Sequence, residues 1–202
     1  GTKELIQKIQ REEDFKLSLV HEITVGATEF FRDPDFWLSI RENVFPAIEN
    51  SDKLNIWLAG CSTGEEVFSI AIWLHESELL EKSQITASDL DPIKIDLARK
   101  GFYEKTNLAQ FNDNYLKAGG LKNPHSYIDK TENGFQLNFD LLNNVIFKHH
   151  DLILEEMNEK FDIIFCRNVL IYFNHDLQNT ILNKLRASLK KEGFLGIGTK
   201  ES

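Results

Sequence analysis

Hydrophobic and polar positions along the chain predict strands and helices that alternate. Residues 55–59 form an apolar run typical of a buried strand, and apolar positions at helical spacing follow over residues 64–77. A second strand is predicted over residues 85–88, and Asp91-Pro92 begins a further helix that Gly101 ends. This alternation of strand and helix is typical of a parallel sheet.

The later part of the chain continues the same pattern. Strands are predicted over residues 145–147, 161–166 and 194–198, with a helix over residues 175–189 that Gly193 ends. The strand over residues 161–166 is the most apolar, which favours a central position. We therefore predict an α/β fold of the Rossmann-like class, with a doubly wound, mostly parallel sheet.

Two regions depart from the alternation. Within residues 102–144 we predict a short helix over residues 111–117. Two short segments on either side of Glu132-Asn133-Gly134 are typical of a hairpin, so a small antiparallel β insertion is expected here. Ahead of the sheet, one helix is predicted over residues 3–23, and Asp33-Pro34 begins a second one with the aspartate as N-cap. The buried face of that second helix is predicted to comprise Phe36, Trp37, Ile40, Val44 and Phe45.

Composition restricts the classes of function. The chain has 202 residues, enough for one globular domain, and its 32 Asp and Glu exceed its 23 Lys and Arg, giving a formal net charge of -9. This acidic balance argues against nucleic acid as the main partner. No apolar run approaches the ~20 residues that span a bilayer, so no membrane insertion is expected. Residues 1–10 do not resemble a secretory leader, so we expect a cytoplasmic protein.

The cysteine and histidine residues favour neither a disulfide nor a metal site. Cys61 and Cys166 lie far apart in sequence and are expected to be reduced. His149 and His150 are neighbours at the end of a predicted strand, so their side chains point to opposite faces. Since no cysteine or histidine at ligand spacing supports them, we expect no metal.

The loop between the first predicted strand and helix carries distinctive chemistry. Its spacing, Gly60-x-x-x-Gly64, differs from that of dinucleotide sites, and Glu65 and Glu66 follow in the first helical turn. Two carboxylates would repel a phosphate but would suit a ligand with cationic or amino groups. Thr63-x-x-Glu66 matches a capping box, which assigns Glu66 to the helix terminus and leaves Glu65 as a ligand contact.

Polar residues also follow other predicted strands. Asp89 ends the second strand, where an acidic residue accepts hydrogen bonds from ribose hydroxyls, although it could instead cap the next helix together with Asp91. Asn168 follows the strand over residues 161–166, at the strand end that faces the ligand crevice, and Tyr172 comes one turn later. Together, the Gly60–Gly64 loop and Asp89 indicate an adenosine-type ligand without phosphates, for which S-adenosylmethionine is the obvious cellular candidate.

Four motifs, taken together, carry a family resemblance. They are Thr28-x-Phe30-Phe31-Arg32, Ser62-Thr63-Gly64-Glu65-Glu66-x-x-Ser69-Ile70-Ala71, Ala87-Ser88-Asp89-Leu90-Asp91 and Phe165-Cys166-Arg167-Asn168-Val169-x-Ile171-Tyr172-Phe173. The chain resembles the chemotaxis receptor methyltransferases, the CheR family, from about residue 23 onward. The resemblance implies a class I methyltransferase fold, with residues 1–23 as a remnant of an N-terminal helical domain and residues 24–202 as the S-adenosylmethionine-binding domain. It also implies that residues 102–144 are the family's small β-subdomain, which docks a receptor tail peptide in some members.

The resemblance further implies roles for individual residues. Arg32 and Tyr172 fall where the family places catalytic residues beside the transferred methyl group. From its residue type alone, Arg32 could pair with a carboxylate of either a surface neighbour or a substrate. The positions implied to bind the cofactor are Thr28, Arg32, Glu65, Asp89, Asp151, Leu152, Asn168 and Val169.

The activity implied by the resemblance is a protein-glutamate O-methyltransferase. Such an enzyme transfers a methyl group from S-adenosylmethionine to glutamate side chains of chemotaxis-type receptors, giving methyl esters and S-adenosylhomocysteine. A glutamate with a pKa near ~4.3 is already ionised at neutral pH, so no general base is needed. The protein is expected to be a monomer that meets the cytoplasmic domains of receptors. Two alternatives stay open, a non-catalytic S-adenosylmethionine-binding signalling module and a small-molecule methyltransferase, whereas the loop glutamates disfavour a dehydrogenase.

Overall fold

The computed structural model describes residues 28–201 and, ahead of them, residues 8, 11, 12, 15, 18, 19, 21 and 22. Most of the helix predicted over residues 3–23 therefore lies outside the described residues, and those described there, apart from residue 12, are helical. None of the described helices is both long and apolar enough to cross a membrane.

In chain order, the elements are α1 (Pro34–Ser39), a π-helical segment (Ile40–Val44), α2 (Phe45–Ile48), β1 (Leu54–Ala59), α3 (Glu65–Glu76), β2 (Ser83–Asp89), α4 (Pro92–Lys100), β3 (Phe102–Glu104), α5 (Asn107–Lys117), β4 (Ile128–Lys130), β5 (Gly134–Leu137), β6 (Val145–His149), β7 (Phe161–Cys166), α6 (His175–Ser188) and β8 (Leu189–Ile197).

Five strands form a parallel sheet in the order β6-β2-β1-β7-β8. The chain builds β1, β2 and β6 toward one side and then β7 and β8 toward the other, so the order reverses between β1 and β7. This confirms the predicted Rossmann-like, doubly wound sheet. The most apolar predicted strand, β7, lies inside the sheet, but the middle strand is β1. Both strands are buried along nearly their whole length because helices cover both faces of such a sheet.

The last strand begins earlier than predicted. α6 ends at Ser188 and β8 follows directly, so Gly193 lies within the strand rather than at a helix terminus. The register between β7 and β8 shifts between Phe161 and Ile163. A Cβ at Gly193 would lie 3.0 Å from the Phe161 carbonyl oxygen. The glycine therefore permits two backbones to approach each other at a bulge, and sequence alone does not distinguish this need from a helix stop.

The helix predicted from Asp33-Pro34 does begin at Pro34, but the Asp33 side chain does not cap it. Asp33 has a left-handed backbone with φ 56°, and its carboxylate pairs instead with Arg167. The helix then widens into the π-helical segment just before Pro46. A proline has no N–H to donate and its ring displaces the carbonyl four residues earlier, which accounts for the wider turn. Of the residues predicted to face the core, Trp37, Ile40, Val44 and Phe45 are buried and Phe36 is partly buried.

Residues 102–144 form the predicted antiparallel insertion, a three-stranded sheet in the order β3-β5-β4. The predicted hairpin is β4 and β5, whereas β3 and the first turn of α5 are absent from the sequence prediction. The insertion packs on Phe30, whose ring centroid lies 4.7 Å from that of Tyr103 and 5.1 Å from that of Phe111. Because Phe30 and Phe31 are fully buried, this contact holds the chain segment that carries Thr28 and Arg32 against the main sheet.

Candidate functional site

A cavity of about 420 Å³ opens at the carboxyl ends of the parallel strands, where the strand order reverses between β1 and β7. Ligands of doubly wound sheets bind in this crevice, and the volume is in the range of small-molecule sites. Eight of the nine residues predicted for the site lie on its wall, namely Thr28, Arg32, Asp89, Asp151, Leu152, Asn168, Val169 and Tyr172. The structure therefore brings together residues that are spread over most of the chain.

The loops that follow β1 and β7 meet at Gly60. This glycine has φ +88°, and a Cβ there would lie 2.4 Å from Val169 Cγ2. The backbone N–H groups of Gly60 and Cys61 both donate to the Ser88 carbonyl oxygen, at 2.8 Å each. Glycine alone combines this backbone conformation with so close an approach, so Gly60 shapes the floor of the cavity.

The predicted capping box, Thr63-x-x-Glu66, is wrong. α3 has Gly64 as its N-cap, with φ 96°, and a glycine has no side chain to cap with. The left-handed glycine places Thr63 outside the helix, where its Oγ1 donates to Glu65 Oε2 at 2.7 Å. Glu66 is thus not needed for capping and lies on the cavity wall.

Glu65 is the one predicted site residue that does not line the cavity. It is 4% exposed, and its carboxylate is held by the hydroxyls of Thr63 and Thr28. Burial raises the pKa of the Glu65 carboxyl, while these two hydrogen bonds act in the opposite direction. Since Thr28 itself lies on the wall, Glu65 stands one layer behind it, and its direct contact with a ligand stays a prediction.

Arg167, which is buried, and Glu66, whose side chain is 20% exposed, form a pair of opposite charge on the wall. Glu66 Oε2 lies 3.5 Å from Arg167 Nη1. Burial raises the pKa of the Glu66 carboxyl, and the positive charges of Arg167 and Arg32 oppose that shift. Glu66 Oε1 and the Nε and Nη1 atoms of Arg167 are buried and make no hydrogen bond with the described residues. Such atoms favour a ligand that brings a donor to the carboxylate and an acceptor to the guanidinium.

Arg167 also ties the loop after β7 to the segment ahead of α1. Its Nη2 donates to Asp33 Oδ2 at 2.8 Å and to the Arg32 carbonyl oxygen at 2.9 Å. The guanidinium carbon lies 4.0 Å from the centroid of the Phe36 ring, and the side chain is 1% exposed. Asp33 is 134 positions away in the chain, so no local pattern signals this pair.

Two neighbouring aspartates divide structural and site roles as their sequence positions suggest. Asp91 is fully buried and caps α4 by accepting a hydrogen bond from the Ile93 N–H at 2.9 Å. Its other oxygen lies 2.7 Å from His21 Nδ1. Asp89 ends β2 on the cavity wall, where its two oxygens accept the N–H groups of Ser62 at 2.8 Å and of Asp91 at 3.0 Å. These backbone bonds hold the Asp89 carboxylate in place, and each oxygen keeps a lone pair for a ligand.

The loop after β7 depends on Glu201, a residue that the sequence analysis does not assign. Asn168 has a left-handed backbone, with φ 59°. Glu201 Oε2 accepts the N–H groups of Asn168 at 2.7 Å and of Gly198 at 2.6 Å, and Oε1 accepts that of Leu170 at 2.6 Å. One carboxylate thus satisfies three backbone donors. The Asn168 and Leu170 donors lie 33 and 31 positions earlier in the chain, so only the fold reveals the role of Glu201.

Replacing Glu201 with alanine should lower the free energy of unfolding by about 2–4 kcal/mol, because three partly buried N–H groups lose their acceptor. The amide protons of Asn168 and Leu170 should exchange faster with solvent. Denaturant unfolding and hydrogen exchange measure the two effects. The matched control is Glu192→Ala at an exposed position of β8. Equal unfolding free energies for the two variants would show that Glu201 does not hold the loop.

Both predicted catalytic residues line the cavity. Arg32 lies on the wall close enough for its charge to stabilise the Glu66 carboxylate. Tyr172 is 57% exposed, and next to it Ile171 is 45% exposed. Ile171 and Tyr172 thus give this part of the cavity wall an exposed apolar edge.

The histidine pair follows the predicted alternation, with His149 exposed and His150 buried. His150 lies on the cavity wall, which the sequence analysis does not anticipate. Within the part of the chain that the structure describes, no group of three or more His, Cys, Asp or Glu side chains could hold a metal ion. Cys61 and Cys166 are buried free thiols, and burial raises the pKa of both, so neither is suited to act as a nucleophile.

Comparison with known proteins places this site in a family. The family model described as "CheR methyltransferase, SAM binding domain" matches residues 26–202. A putative methyltransferase Cher3 of Pseudomonas putida is 37% identical over 98% of this chain and 72% of its own length. A chemotaxis protein methyltransferase of Borreliella burgdorferi is 32% identical over 92% of this chain and 68% of its own length, and one of Listeria innocua is 31% identical over 89% and 66%. The chain thus spans about two thirds of the length of these relatives. The structure of PKMT2 from Rickettsia typhi in complex with AdoHcy aligns with a TM-score of 0.49 at 20% identity, covering 85% of this chain and 26% of that protein.

The family match covers the whole sheet, the β insertion and all the wall residues of the cavity. It confirms the resemblance carried by the four sequence motifs, and it makes S-adenosylmethionine the cofactor of the matched domain. The chain belongs to the CheR methyltransferase family, of which it contains the S-adenosylmethionine-binding domain.

Proposed function

We propose that this protein transfers a methyl group from S-adenosylmethionine to glutamate side chains of chemotaxis-type receptors. One observation carries the proposal. A cavity at the switch point of the sheet offers an acidic residue at the end of β2 and, beside β1 and β7, a pair of opposite charge with buried, unsatisfied atoms. These features correspond to the ribose and to the amino-acid end of the cofactor.

The order of the strands gives the expected orientation of the ligand. The Asp89 carboxylate, at the end of β2, fits two ribose hydroxyls. Toward β1 and β7, Glu66 Oε1 fits an α-ammonium group, and the Nε and Nη1 atoms of Arg167 fit an α-carboxylate. Asp151 and Leu152 follow β6, on the far side of β2, and fit the base. The cavity thereby accommodates a ligand with a cation and a carboxylate at one end and no phosphate.

The remaining predicted residues receive proposed roles from their places on the wall. Thr28 and Arg32 line the cavity ahead of α1, and Asn168 and Val169 line it after β7, with Val169 packed against Gly60. Glu65 acts as a positioning residue, because its carboxylate holds the hydroxyl of Thr28.

The chemistry needs alignment rather than proton transfer. When bound, S-adenosylmethionine supplies an electrophilic methyl group on its sulfonium. A substrate glutamate, with a pKa near ~4.3, is already an anion at neutral pH. Arg32 orients this anion at the mouth of the cavity, and Tyr172 covers the approach and limits access of water.

A protein substrate accounts for the form of the rim. Ile171 and Tyr172, which line the cavity, are 45% and 57% exposed, which suits a macromolecule that covers them better than a small molecule that fits inside. Relatives named chemotaxis protein methyltransferases support receptors as that macromolecule. The proposal therefore includes action as a monomer in the cytoplasm, where the receptor domains lie, and no role for nucleic acid.

Transfer of tritiated methyl groups from S-adenosylmethionine to receptor membranes tests the proposal. We expect labelled receptor whose label is released by base, as a methyl ester requires. Calorimetry with S-adenosylhomocysteine and with NAD adds a second measurement. Binding of S-adenosylhomocysteine without any transfer to receptors would favour a non-catalytic module, and transfer to a small molecule alone would favour the other alternative. Binding of NAD without S-adenosylhomocysteine would contradict the proposal.

Glu66→Gln and Glu65→Gln form a matched pair that tests the assignment of the two loop glutamates. We expect Glu66→Gln to weaken S-adenosylhomocysteine binding roughly tenfold or more, because a charge-assisted hydrogen bond to the ammonium is lost. Glu65→Gln should have the smaller effect, since its carboxylate contacts Thr28 and Thr63. Isothermal titration calorimetry measures both. The reverse ranking would show that Glu65 turns into the cavity when the ligand binds.

A further inference from the structure

His150 is a buried polar side chain on the cavity wall to which the proposed function gives no role. It follows β6, is 2% exposed, and lines the cavity next to Asp151. Neither of its ring nitrogens makes a hydrogen bond with the described residues. A buried imidazole with both nitrogens unsatisfied is unusual, because buried polar side chains nearly always find a partner.

The surroundings of the ring restrict what could satisfy it. Trp57 packs edge-to-face on His150, with ring centroids 5.5 Å apart at 88°. The indole is itself fixed, because its Nε1 donates to Ser88 Oγ at 2.9 Å. The His150 backbone N–H donates to the Asp89 carbonyl oxygen at 3.0 Å, which anchors the residue beside the proposed ribose site. A hydrogen-bond partner for the ring nitrogens of His150 can therefore come from the cavity.

The chemical state of His150 defines the kind of partner. Burial lowers the pKa of the imidazole, so the neutral form prevails at neutral pH. A neutral imidazole has one N–H donor and one acceptor nitrogen. It therefore suits an uncharged heterocycle that carries both acceptors and an amino group, and it does not provide the fixed charge that a phosphate or a carboxylate would need.

We propose that His150 hydrogen-bonds the adenine base of the bound cofactor and so contributes to recognition of that base. This inference rests on the proposed function, which places the ribose at Asp89 and therefore the base toward the end of β6. Asp151 and Leu152 form the neighbouring wall, and the carboxylate of Asp151 is turned to the N–H groups of Ile153 at 2.7 Å and Leu154 at 3.0 Å. The ring of His150 would add a further hydrogen bond to the base, at a position that no sequence motif of the chain marks.

Calorimetry with a set of ligand analogues tests this role. The set consists of S-adenosylhomocysteine and four analogues that each lack one hydrogen-bonding position of the base: N1, N3 or N7 replaced by C–H, or the 6-amino group removed. For His150→Phe we expect roughly five- to tenfold weaker binding of S-adenosylhomocysteine. One analogue should bind the wild-type protein more weakly than S-adenosylhomocysteine does, by a similar factor. That analogue and S-adenosylhomocysteine should then bind His150→Phe with equal affinity. The matched control, His149→Phe, changes the exposed neighbour and should leave all affinities unchanged.

The outcomes separate this inference from the proposed function. For each analogue, the affinity relative to S-adenosylhomocysteine is compared between the two proteins. If this ratio is the same on the wild-type protein and on His150→Phe for every analogue, His150 does not contact the base. General damage to the cavity would weaken all ligands alike and would also leave these ratios unchanged. Failure of the wild-type protein to bind S-adenosylhomocysteine would instead contradict the proposed function.

A measurement on the wild-type protein avoids dependence on a variant that fails to fold. Long-range ¹H–¹⁵N spectra of histidine-labelled protein report the state of each ring nitrogen, and His149→Phe assigns the neighbouring signals. Addition of S-adenosylhomocysteine should shift a ring nitrogen of His150 and fix one tautomer. Unchanged His150 nitrogen shifts at saturation would overturn the inference.

Discussion

Arg32→Ala should reduce methyl transfer to receptors by ~100-fold or more while the protein stays folded. The side chain lines the cavity, and we propose that it orients the incoming carboxylate there. The contacts that Arg32 makes with the fold through its carbonyl oxygen, accepting from Trp37 Nε1 at 3.0 Å and from Arg167 Nη2 at 2.9 Å, survive in the alanine variant. The variant should therefore keep its fold, although removing the charge beside Glu66 should lower its stability somewhat.

Initial rates of tritiated-methyl transfer, together with thermal unfolding, measure this effect. Arg99→Ala on α4 is the control, because this arginine is 53% exposed and away from the cavity. Calorimetry with S-adenosylhomocysteine should show a smaller loss in the Arg32 variant than the transfer rate does, since the main role is toward the substrate. Wild-type turnover in Arg32→Ala would remove Arg32 from the mechanism.

Arg167→Leu should lower the free energy of unfolding by about 2–4 kcal/mol, because two partly buried carboxylates lose their partner and the stacking on Phe36 is lost. The guanidinium is 1% exposed between Asp33 and Glu66 and stacks on Phe36. Urea unfolding measures the change. Arg186→Leu, at an exposed position of α6, should change it by no more than about 0.5 kcal/mol.

Arg167→Lys distinguishes charge from geometry. A lysine restores the positive charge, but its ammonium cannot reach Asp33, Glu66 and the Arg32 carbonyl in the planar arrangement of a guanidinium. We expect it to recover less than half of the lost stability. Full recovery would show that charge alone is needed, and a loss below about 1 kcal/mol in Arg167→Leu would show that the two carboxylates are well solvated without it.

The elements with strong local signals were predicted to within a residue or two. The apolar run of β1 predicts a strand that the structure places at Leu54–Ala59. The glycine loop precedes α3, at Glu65–Glu76, and an Asp-Pro start with a glycine stop marks α4, at Pro92–Lys100. These signals depend on backbone conformations that a few neighbouring residues determine. Gly193 shows the limit of such reasoning. A glycine is required there because the backbone of the neighbouring strand β7 comes close, and not because a helix ends there.

In the site, too, the residues with local sequence signals were predicted, whereas those that depend on tertiary contacts were not. Asp89 and Asn168 were predicted because they follow apolar strands, and parallel strands bring their carboxyl ends to one edge. Glu66 was assigned to a capping box that the left-handed Gly64 prevents. His150 was judged by its lack of nearby metal ligands, and its place on the cavity wall depends on packing against Trp57.

The sequence by itself determined the alternating fold and the family. It also identified nine site residues, eight of which line the cavity. These follow from local periodicity, turn chemistry and motifs, which a linear pattern contains. Only the tertiary structure decided which loop glutamate lies on the cavity wall, that Asp33 pairs with Arg167 rather than capping α1, and that Glu201 holds the loop after β7. Each of these depends on burial and on donors and acceptors that the fold brings together, and the energy of a buried polar atom is settled by its partners in space rather than by its neighbours in the chain.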